Sequence, residues 1–169
     1  SNSVSTPGLK GTAAQVAEDM PLEHRLHTPY RSSAARANHL AADRVDVQFA
    51  PKEVCRWMSK PTELPLLALK RLARFVEAHP RLVCKYKWQD ADVIDVYSDT
   101  DWAGCLRTRK STSGVCLVLG QHLPKSRSST QTAVSLSSGE AEFYGVDKAS
   151  GIDLGYQALL EDLGYVLPI

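Results

Sequence analysis

Apolar residues recur at helical spacing from residue 30 to residue 78, whereas residues 1–29 are interrupted by proline and glycine and predict an irregular lead-in. The clearest helix is predicted to begin after Thr62. Its apolar side chains share one face, as in a helix that packs against a core; they are Leu66, Leu69, Leu72, Ala73 and Val76. The first half of the chain is therefore predicted to be helical.

Two shorter helices are predicted before that one. Ser32 or Ser33 can cap a helix that reaches about Ala42, because a side-chain hydroxyl there accepts a bond from an unpaired backbone amide. Asp46 can cap the next helix in the same way. Pro51 lies about a turn beyond Asp46, and we expect it to kink this helix because it lacks a backbone donor.

In the second half of the chain the spacing changes to that of β-strands. Three strands are predicted, over residues 93–97, over 113–119 and within 122–134, and the short turns between them favour antiparallel pairing. A long helix is predicted over 138–163, with Gly164 as its stop. The predicted core of this half comprises Val96, Trp102, Leu117, Ala141, Ile152, Leu159 and Leu163. The fold class is therefore predicted to be α+β.

Composition limits the class of protein. The 169 residues are 43% hydrophobic and 23% charged, which is typical of a globular domain. No apolar run approaches the roughly 20 residues needed to span a bilayer, and the N-terminus lacks a basic-then-apolar signal pattern. The four cysteines form no C-x-x-C pair, which favours free thiols over a zinc site. We therefore expect an intracellular protein of the cytoplasm or nucleus, neither secreted nor associated with a membrane.

The net charge of +1 hides an asymmetry along the chain. Residues 1–90 hold 14 Lys and Arg against 9 Asp and Glu, whereas residues 91–169 hold 6 against 10. A basic half joined to an acidic half indicates two functional parts. A random scatter of charge over solvated surfaces explains the same counts.

Acidic residues lie along and just after the first predicted strand. Asp95, Asp99 and Asp101 are two or four residues apart, so a strand would place them on one face. Carboxylates grouped in this way suit a hard divalent cation such as Mg²⁺. Asp99 and Asp101 could equally build a turn, and the spacing leaves both interpretations open.

A second acidic motif opens the long helix. Ser137 and Glu140 match a capping box, in which the glutamate is expected to bond the backbone N–H of Ser137. Glu142 is not needed for capping. It can complete a metal site with a strand aspartate, or it can be an exposed first-turn acid that the helix dipole favours.

Basic residues form two groups in the second half. Arg107, Arg109 and Lys110 follow the first strand, and Lys125 and Arg127 lie in the region of the third. Cations next to hydroxyl side chains suit phosphate contacts that do not depend on base sequence. A hairpin loop and an exposed strand face have the same composition, so this signal is weak by itself.

Three ordered blocks of sequence resemble one family. Residues 97–104, 109–114 and 133–143 are similar to the ribonuclease H domain of copia-type retrotransposon polyproteins. Segments between residues 30 and 75 are similar to the helical C-terminal end of the reverse transcriptase of that family. The resemblance covers nearly the whole chain, from about residue 28 to residue 167.

This resemblance implies a division of the chain. Residues 1–29 would be the lead-in, 30–88 a helical segment like the end of a reverse transcriptase, and 91–169 a partial ribonuclease H-like domain. The implied fold of that domain is truncated, with three antiparallel strands and one long helix.

The resemblance also implies an activity, which is metal-dependent cutting of the RNA strand of an RNA–DNA hybrid. In the family, four carboxylates hold two Mg²⁺ ions, for which Mn²⁺ can substitute. Asp99 matches the acid of the first strand and Glu142 matches the acid of the helix, whereas Glu140 matches no ligand. The residues expected to contact nucleic acid are Arg107, Arg109, Lys110, Lys125, Arg127 and Ser137. The rest of the polyprotein is the other expected partner.

The chain departs from the family pattern in its acidic residues. The third and fourth acids of the family would lie beyond Ile169, so only two of four ligands are present. Because Mg²⁺ requires near-octahedral oxygen ligands, we expect the isolated chain to be weak or inactive as a nuclease. The alternatives are a nucleic-acid-binding module that does not cut, and a degenerate retroelement fragment.

Overall fold

The computed structural model describes residues 4–168 of the chain. The chain divides between Val83 and Cys84 into two compact units. The first unit is helical, and the second combines a β-sheet with a long helix. The predicted α+β class is therefore confirmed.

The first unit is built from short helices around a small core. In the described residues these are α1 (Ala13–Ala17), α2 (His27–Leu40), α3 (Phe49–Cys55) and α4 (Glu63–Ala78), with 3-10 turns at His24–Leu26 and Val45–Val47. Tyr30 on α2 is almost fully buried, and its hydroxyl donates to the Val54 carbonyl of α3 at 2.6 Å. This bond ties the two helices together because a buried hydroxyl needs a partner.

The start of α2 differs from its predicted position. The helix begins at His27 and ends at Leu40, so Ser32 and Ser33 lie inside it and cap nothing. The reason is local, because the 3-10 turn at His24–Leu26 continues directly into the helix without a side-chain cap.

The predictions for Asp46 and Pro51 also need correction. Asp46 lies in a 3-10 turn, where it pairs with Arg44 (Nη2 to Oδ2, 2.7 Å) instead of capping α3. Pro51 is the third residue of α3. Since amides of the first helical turn have no partner within the helix, proline removes no hydrogen bond there.

The N-terminus of α4 lies where it was predicted, with Thr62 as the capping residue. The oxygen that accepts hydrogen bonds at this helix end, however, belongs to a residue that is distant in the sequence. Asp19 accepts from the Leu64 backbone amide at 2.9 Å and from the Thr62 hydroxyl at 2.6 Å. A carboxylate at this position also interacts favourably with the positive end of the helix dipole.

The second unit contains an antiparallel sheet and one long helix. Its described elements are β1 (Ile94–Asp101), β2 (Thr112–Leu119), β3 (His122–Thr130) and α5 (Ser138–Asp162). The strand order is β1-β2-β3, so β2 is central and β1 and β3 are edges of this sheet. The arrangement agrees with the truncated ribonuclease H-like fold that the resemblance implies.

Helix α5 packs against β1 and β2 through small side chains. Ala141, Gly145 and Ala149 are buried at intervals of one turn. A Cβ atom on Gly145 would lie 2.6 Å from Oγ1 of Thr100, which shows how closely the helix approaches β1.

The predicted core of this unit is correct in part. Leu117 and Ala141 are fully buried, and Val96 and Ile152 are partly buried. The prediction of a buried side chain is wrong for Trp102, Leu159 and Leu163, whose surfaces are 46%, 51% and 65% exposed. The last turns of α5 expose most of their apolar side chains, while Trp102 lies beyond β1 and donates its indole N–H to the Ser135 carbonyl.

Candidate functional site

Asp99 lies on the exposed face of β1. Asp95, Tyr97 and Asp101 are exposed on the same face, as the alternation of side chains in a strand requires. Asp99 pairs across the sheet with Gly114, whose missing side chain leaves the space beside it open. The carboxylate of Asp99 is therefore accessible to a cation from solvent.

Asp101 has a different setting, although it shares the face. Its carboxylate lies over the backbone of Gly104, where a Cβ atom would approach Oδ2 within 1.9 Å. The Gly104 amide donates to the Asp101 carbonyl at 3.4 Å. Asp101 thus closes the turn after β1, which is the structural interpretation that the spacing had left open.

Glu142 is the fifth residue of α5 and is half-buried. It lies just after the first turn of the helix and not in it as predicted, since the acid of the first turn is Glu140. Its neighbour Ala141 faces the sheet. Glu142 therefore lies at the border between the buried and exposed sides of α5.

Ser137 and Glu140 cap the helix in a modified form. The Ser137 hydroxyl accepts from the Glu140 amide at 3.1 Å, as predicted. Glu140 accepts from the Leu136 amide at 2.7 Å, one residue earlier than the capping box requires. Ser137 is thus explained by helix capping, and its contact with nucleic acid stays a prediction.

The contact between Gly145 and Thr100 brings the two acidic positions close along the backbone. Asp99 precedes Thr100 by one residue, and Glu142 precedes Gly145 by about one helical turn. Because Thr100 faces α5, alternation turns Asp99 to the other face of the sheet. Asp99 and Glu142 therefore lie near one helix–strand contact, with Asp99 on the exposed face of β1.

The acidic residues do not form a complete metal site by themselves. Among residues 4–168, no group of three or more His, Cys, Asp or Glu side chains is arranged to hold a metal ion. Two carboxylates supply only part of the oxygen shell that Mg²⁺ requires.

A buried polar network links the sheet to the N-terminus of α5. Gln131 donates its amide hydrogens to the Ser113 hydroxyl (2.9 Å) and to the Ala141 carbonyl (2.8 Å). It also accepts from the Ser135 hydroxyl at 3.0 Å. Nothing in the periodicity singled out Gln131, because its partners lie on a strand, a loop and a helix.

The basic residues lie in two places. The loop group consists of Arg107, Arg109 and Lys110, between β1 and β2. The strand–helix group consists of Lys125 and Arg127 on β3 and Lys148 on α5. Lys125 and Arg127 pair with the buried residues Leu117 and Val115, which places both on the side of the sheet that α5 covers.

Lys148 was not predicted from the sequence. It is partly buried, and both burial and the nearby Arg127 guanidinium lower the pKa of its ammonium group. Both effects disfavour the charged form of this lysine. No pattern in the sequence singles out Lys148, because its neighbour Arg127 lies on another element.

No helix within residues 4–168 has the length and apolar character needed to cross a membrane. No family model matches the chain, and no solved structure matches it.

Curated proteins of known sequence do match it. The chain is 34% identical over 137 residues to the retrovirus-related Pol polyprotein from transposon RE1 of Arabidopsis thaliana, covering 81% of this chain and 9% of the polyprotein. It is 33% identical over 140 residues to the corresponding RE2 polyprotein, covering 83% and 10%. It is also 30% identical over 125 residues to secreted RxLR effector protein 161 of Plasmopara viticola, covering 73% of this chain and 88% of the effector.

The chain spans about a tenth of the length of the two polyproteins that it matches. Each match covers four fifths of the chain, so it includes residues of both the helical unit and the sheet unit. The chain therefore belongs to the family of retrotransposon Pol polyproteins and corresponds to one segment of such a polyprotein.

Proposed function

We propose that this segment is part of a ribonuclease H domain, of the copia type, that cuts the RNA strand of RNA–DNA hybrids inside the cell, in the cytoplasm or nucleus. The observation that carries the proposal is the close crossing of α5 over β1 at Gly145 and Thr100. Asp99 is one residue from this contact along β1, and Glu142 is about one turn from it along α5.

The chemistry of Asp99 and Glu142 supports a role in holding divalent cations. Both are carboxylates, which are the ligands that Mg²⁺ and Mn²⁺ prefer, and both are reached by solvent. A bound pair of ions would activate water and stabilise the leaving oxygen in phosphodiester hydrolysis. The two residues do not complete such a site, so we expect the isolated chain to cut weakly or not at all.

The basic residues support binding of the hybrid. The loop group and the strand–helix group would neutralise phosphates along the backbone of the hybrid. Binding through such contacts weakens steeply with salt, because each neutralised phosphate releases condensed counterions. A module that binds the hybrid without cutting it is the second candidate function, and the exposure of most of these basic side chains favours it.

The test is binding and cleavage of a labelled RNA–DNA hybrid with and without Mg²⁺. We expect Mg²⁺ to strengthen binding to the hybrid more than binding to duplex DNA. Asp99→Asn and Glu142→Gln should remove this gain, because each replaces a charged ligand with a neutral amide. Asp95→Asn is the matched control, since Asp95 is exposed on the same face of β1 but matches no ligand.

The outcomes separate the two candidates. A gain in hybrid binding with Mg²⁺ that Asp99→Asn removes supports the nuclease ancestry. Robust cleavage that the same variant abolishes would show that the isolated chain is active. Binding without any effect of Mg²⁺ supports the non-cutting module. An equal loss in Asp95→Asn and Asp99→Asn would contradict the assignment of Asp99.

A further inference from the structure

A second surface feature lies before β1, in a segment without helix or strand. The aromatic–basic segment consists of Lys85, Tyr86, Lys87 and Trp88. Trp88 is 93% exposed and Tyr86 is 62% exposed, and both lysines are exposed. Tryptophan is rarely left in water to this extent, because its ring gains most from contact with another surface.

The segment is nevertheless fixed to the sheet. Gln89 directly follows Trp88, and its side-chain amide donates to the Leu119 carbonyl at 2.6 Å. The same side chain contacts Nδ1 of His122 at 3.0 Å and accepts from the Gln121 amide at 2.8 Å. These contacts attach the segment to the turn between β2 and β3.

Two further contacts hold the segment at this turn. The ring of Tyr86 meets the ring of His122 edge-on, with 5.1 Å between the ring centres. Gly120 has a positive φ of 58°, and a Cβ atom there would lie 2.5 Å from Oε1 of Gln89. The turn therefore closes tightly around Gln89. Trp88 is exposed although the residue that follows it is held in place.

We propose that the aromatic–basic segment is a binding site for single-stranded nucleic acid, in which a base stacks on the Trp88 ring and Lys85 and Lys87 contact phosphates. Stacking platforms flanked by cations are the usual means of binding single strands without base specificity. The site does not depend on Asp99 or Glu142, so it stands apart from the nuclease proposal.

The charges near Trp88 favour a nucleic acid over an apolar protein partner. Lys85 and Lys87 lie on the N-terminal side of Trp88, whereas Asp90 and Asp92 lie beyond the Gln89 anchor. An apolar partner would have to desolvate the two ammonium groups, which costs free energy unless they are paired. Phosphates pair with them directly.

The experiment is a titration of the full chain with oligothymidylate and oligouridylate, followed by tryptophan fluorescence and by anisotropy of a labelled oligonucleotide. We expect quenching of the exposed indole and salt-dependent binding. Trp88→Ala should weaken binding about 5- to 150-fold, the range for loss of one stacked base. Trp88→Phe should retain most of the affinity, because phenylalanine also has a flat aromatic face.

Two controls isolate the lysines and the stacking. Replacing Lys85 and Lys87 with alanine should lower the slope of log affinity against log salt by about 1 to 2, since each phosphate contact on a single strand contributes about 0.7. Leu136→Ala is the matched apolar control, because Leu136 is 88% exposed and lies outside the segment. It should bind as the unmodified chain does.

Several results would overturn the proposal. Equal affinity in Trp88→Ala and the unmodified chain would exclude stacking on this ring. Indole quenching that follows protein concentration without oligonucleotide would show that a second copy of the chain covers Trp88. An equal effect of Trp88→Ala on a blunt RNA–DNA hybrid and on single strands would also contradict a single-strand site.

Discussion

At the scale of single residues, Gly145 decides how closely α5 can approach the sheet. The Cβ atom of any other residue would lie 2.6 Å from Oγ1 of Thr100. A larger residue would push the helix away from β1 and change the spacing between the elements that carry Glu142 and Asp99. The glycine is therefore explained by packing and not by backbone conformation.

We expect Gly145→Ala to lower the free energy of unfolding by about 1–3 kcal/mol, the usual cost of overpacking a close contact. Gly151→Ala is the matched control on the same helix, because nothing lies within 4 Å of its Cβ position. It should stabilise the chain by about 0.5–1 kcal/mol through helix propensity. Urea denaturation measures both changes. Adding Thr100→Ala to Gly145→Ala should recover stability, and failure to do so would contradict the clash.

Asp153 is the other residue with an unusual setting. It is 5% exposed, and its Oδ1 atom has no hydrogen-bond partner. Burial raises the pKa of its carboxyl above the ordinary value, since desolvation penalises the charged form. The native state therefore holds a proton on Asp153 at pH values where the unfolded chain has released it.

The sign of the pH dependence follows from that difference. The contribution of Asp153 to stability is greatest below about pH 4, near the carboxyl pKa in the unfolded chain, and is lost as pH rises through the folded pKa. We expect Asp153→Asn to remove this loss, so the variant should gain stability over the unmodified chain as pH rises above about 4. Denaturation at several pH values measures it. Asp147→Asn, at an exposed position of α5, should show no such gain.

At the scale of elements, the N-terminus of α5 is held in two ways. Ser137 and Glu140 satisfy backbone amides at the helix end. Gln131 connects the helix to β2 by hydrogen bonds to Ala141 and Ser113. The cap decides where the helix begins, whereas the glutamine decides where this end lies on the sheet.

We expect Gln131→Ala to destabilise the second unit by about 2–3 kcal/mol, because it leaves buried polar groups of three other residues without this partner. Ser135→Ala removes only one bond of the same network and should cost about 1 kcal/mol. Chemical denaturation followed by circular dichroism compares the two variants. Equal effects would show that the Gln131 bridge does not hold α5 to the sheet.

The length of α5 shows how context outweighs local propensity. Gly151 and Gly155 each lower helix stability by about 1 kcal/mol relative to alanine. The helix nevertheless runs without a break from Ser138 to Asp162. Its packing on β1 and β2 supplies the stabilisation that these two residues do not.

At the scale of the whole molecule, the chain contains two units of different character. The helical unit has its own core around Tyr30, Val54 and Leu69. In the second unit the core is the contact layer between sheet and helix, where Leu117, Val115 and Ala141 are buried. The basic and acidic halves of the sequence correspond roughly to these units.

The sequence by itself determined the class of fold, the family, and which strand or helix carries each of the acidic residues. Alternation along β1 was enough to place Asp95, Asp99 and Asp101 on one face, and the cap at Ser137 was enough to place the start of α5. Such local structure can be predicted from the sequence because it depends on residues only a few positions apart.

Only the tertiary structure decided what depends on residues far apart in the chain. It placed Asp19 at the cap of α4, Lys148 beside Arg127 and Gln89 on the turn between β2 and β3. It also turned Asp99 away from the face that α5 covers. The physical reason is that these contacts follow from how helices and strands pack, and no periodicity along the chain records which surfaces meet.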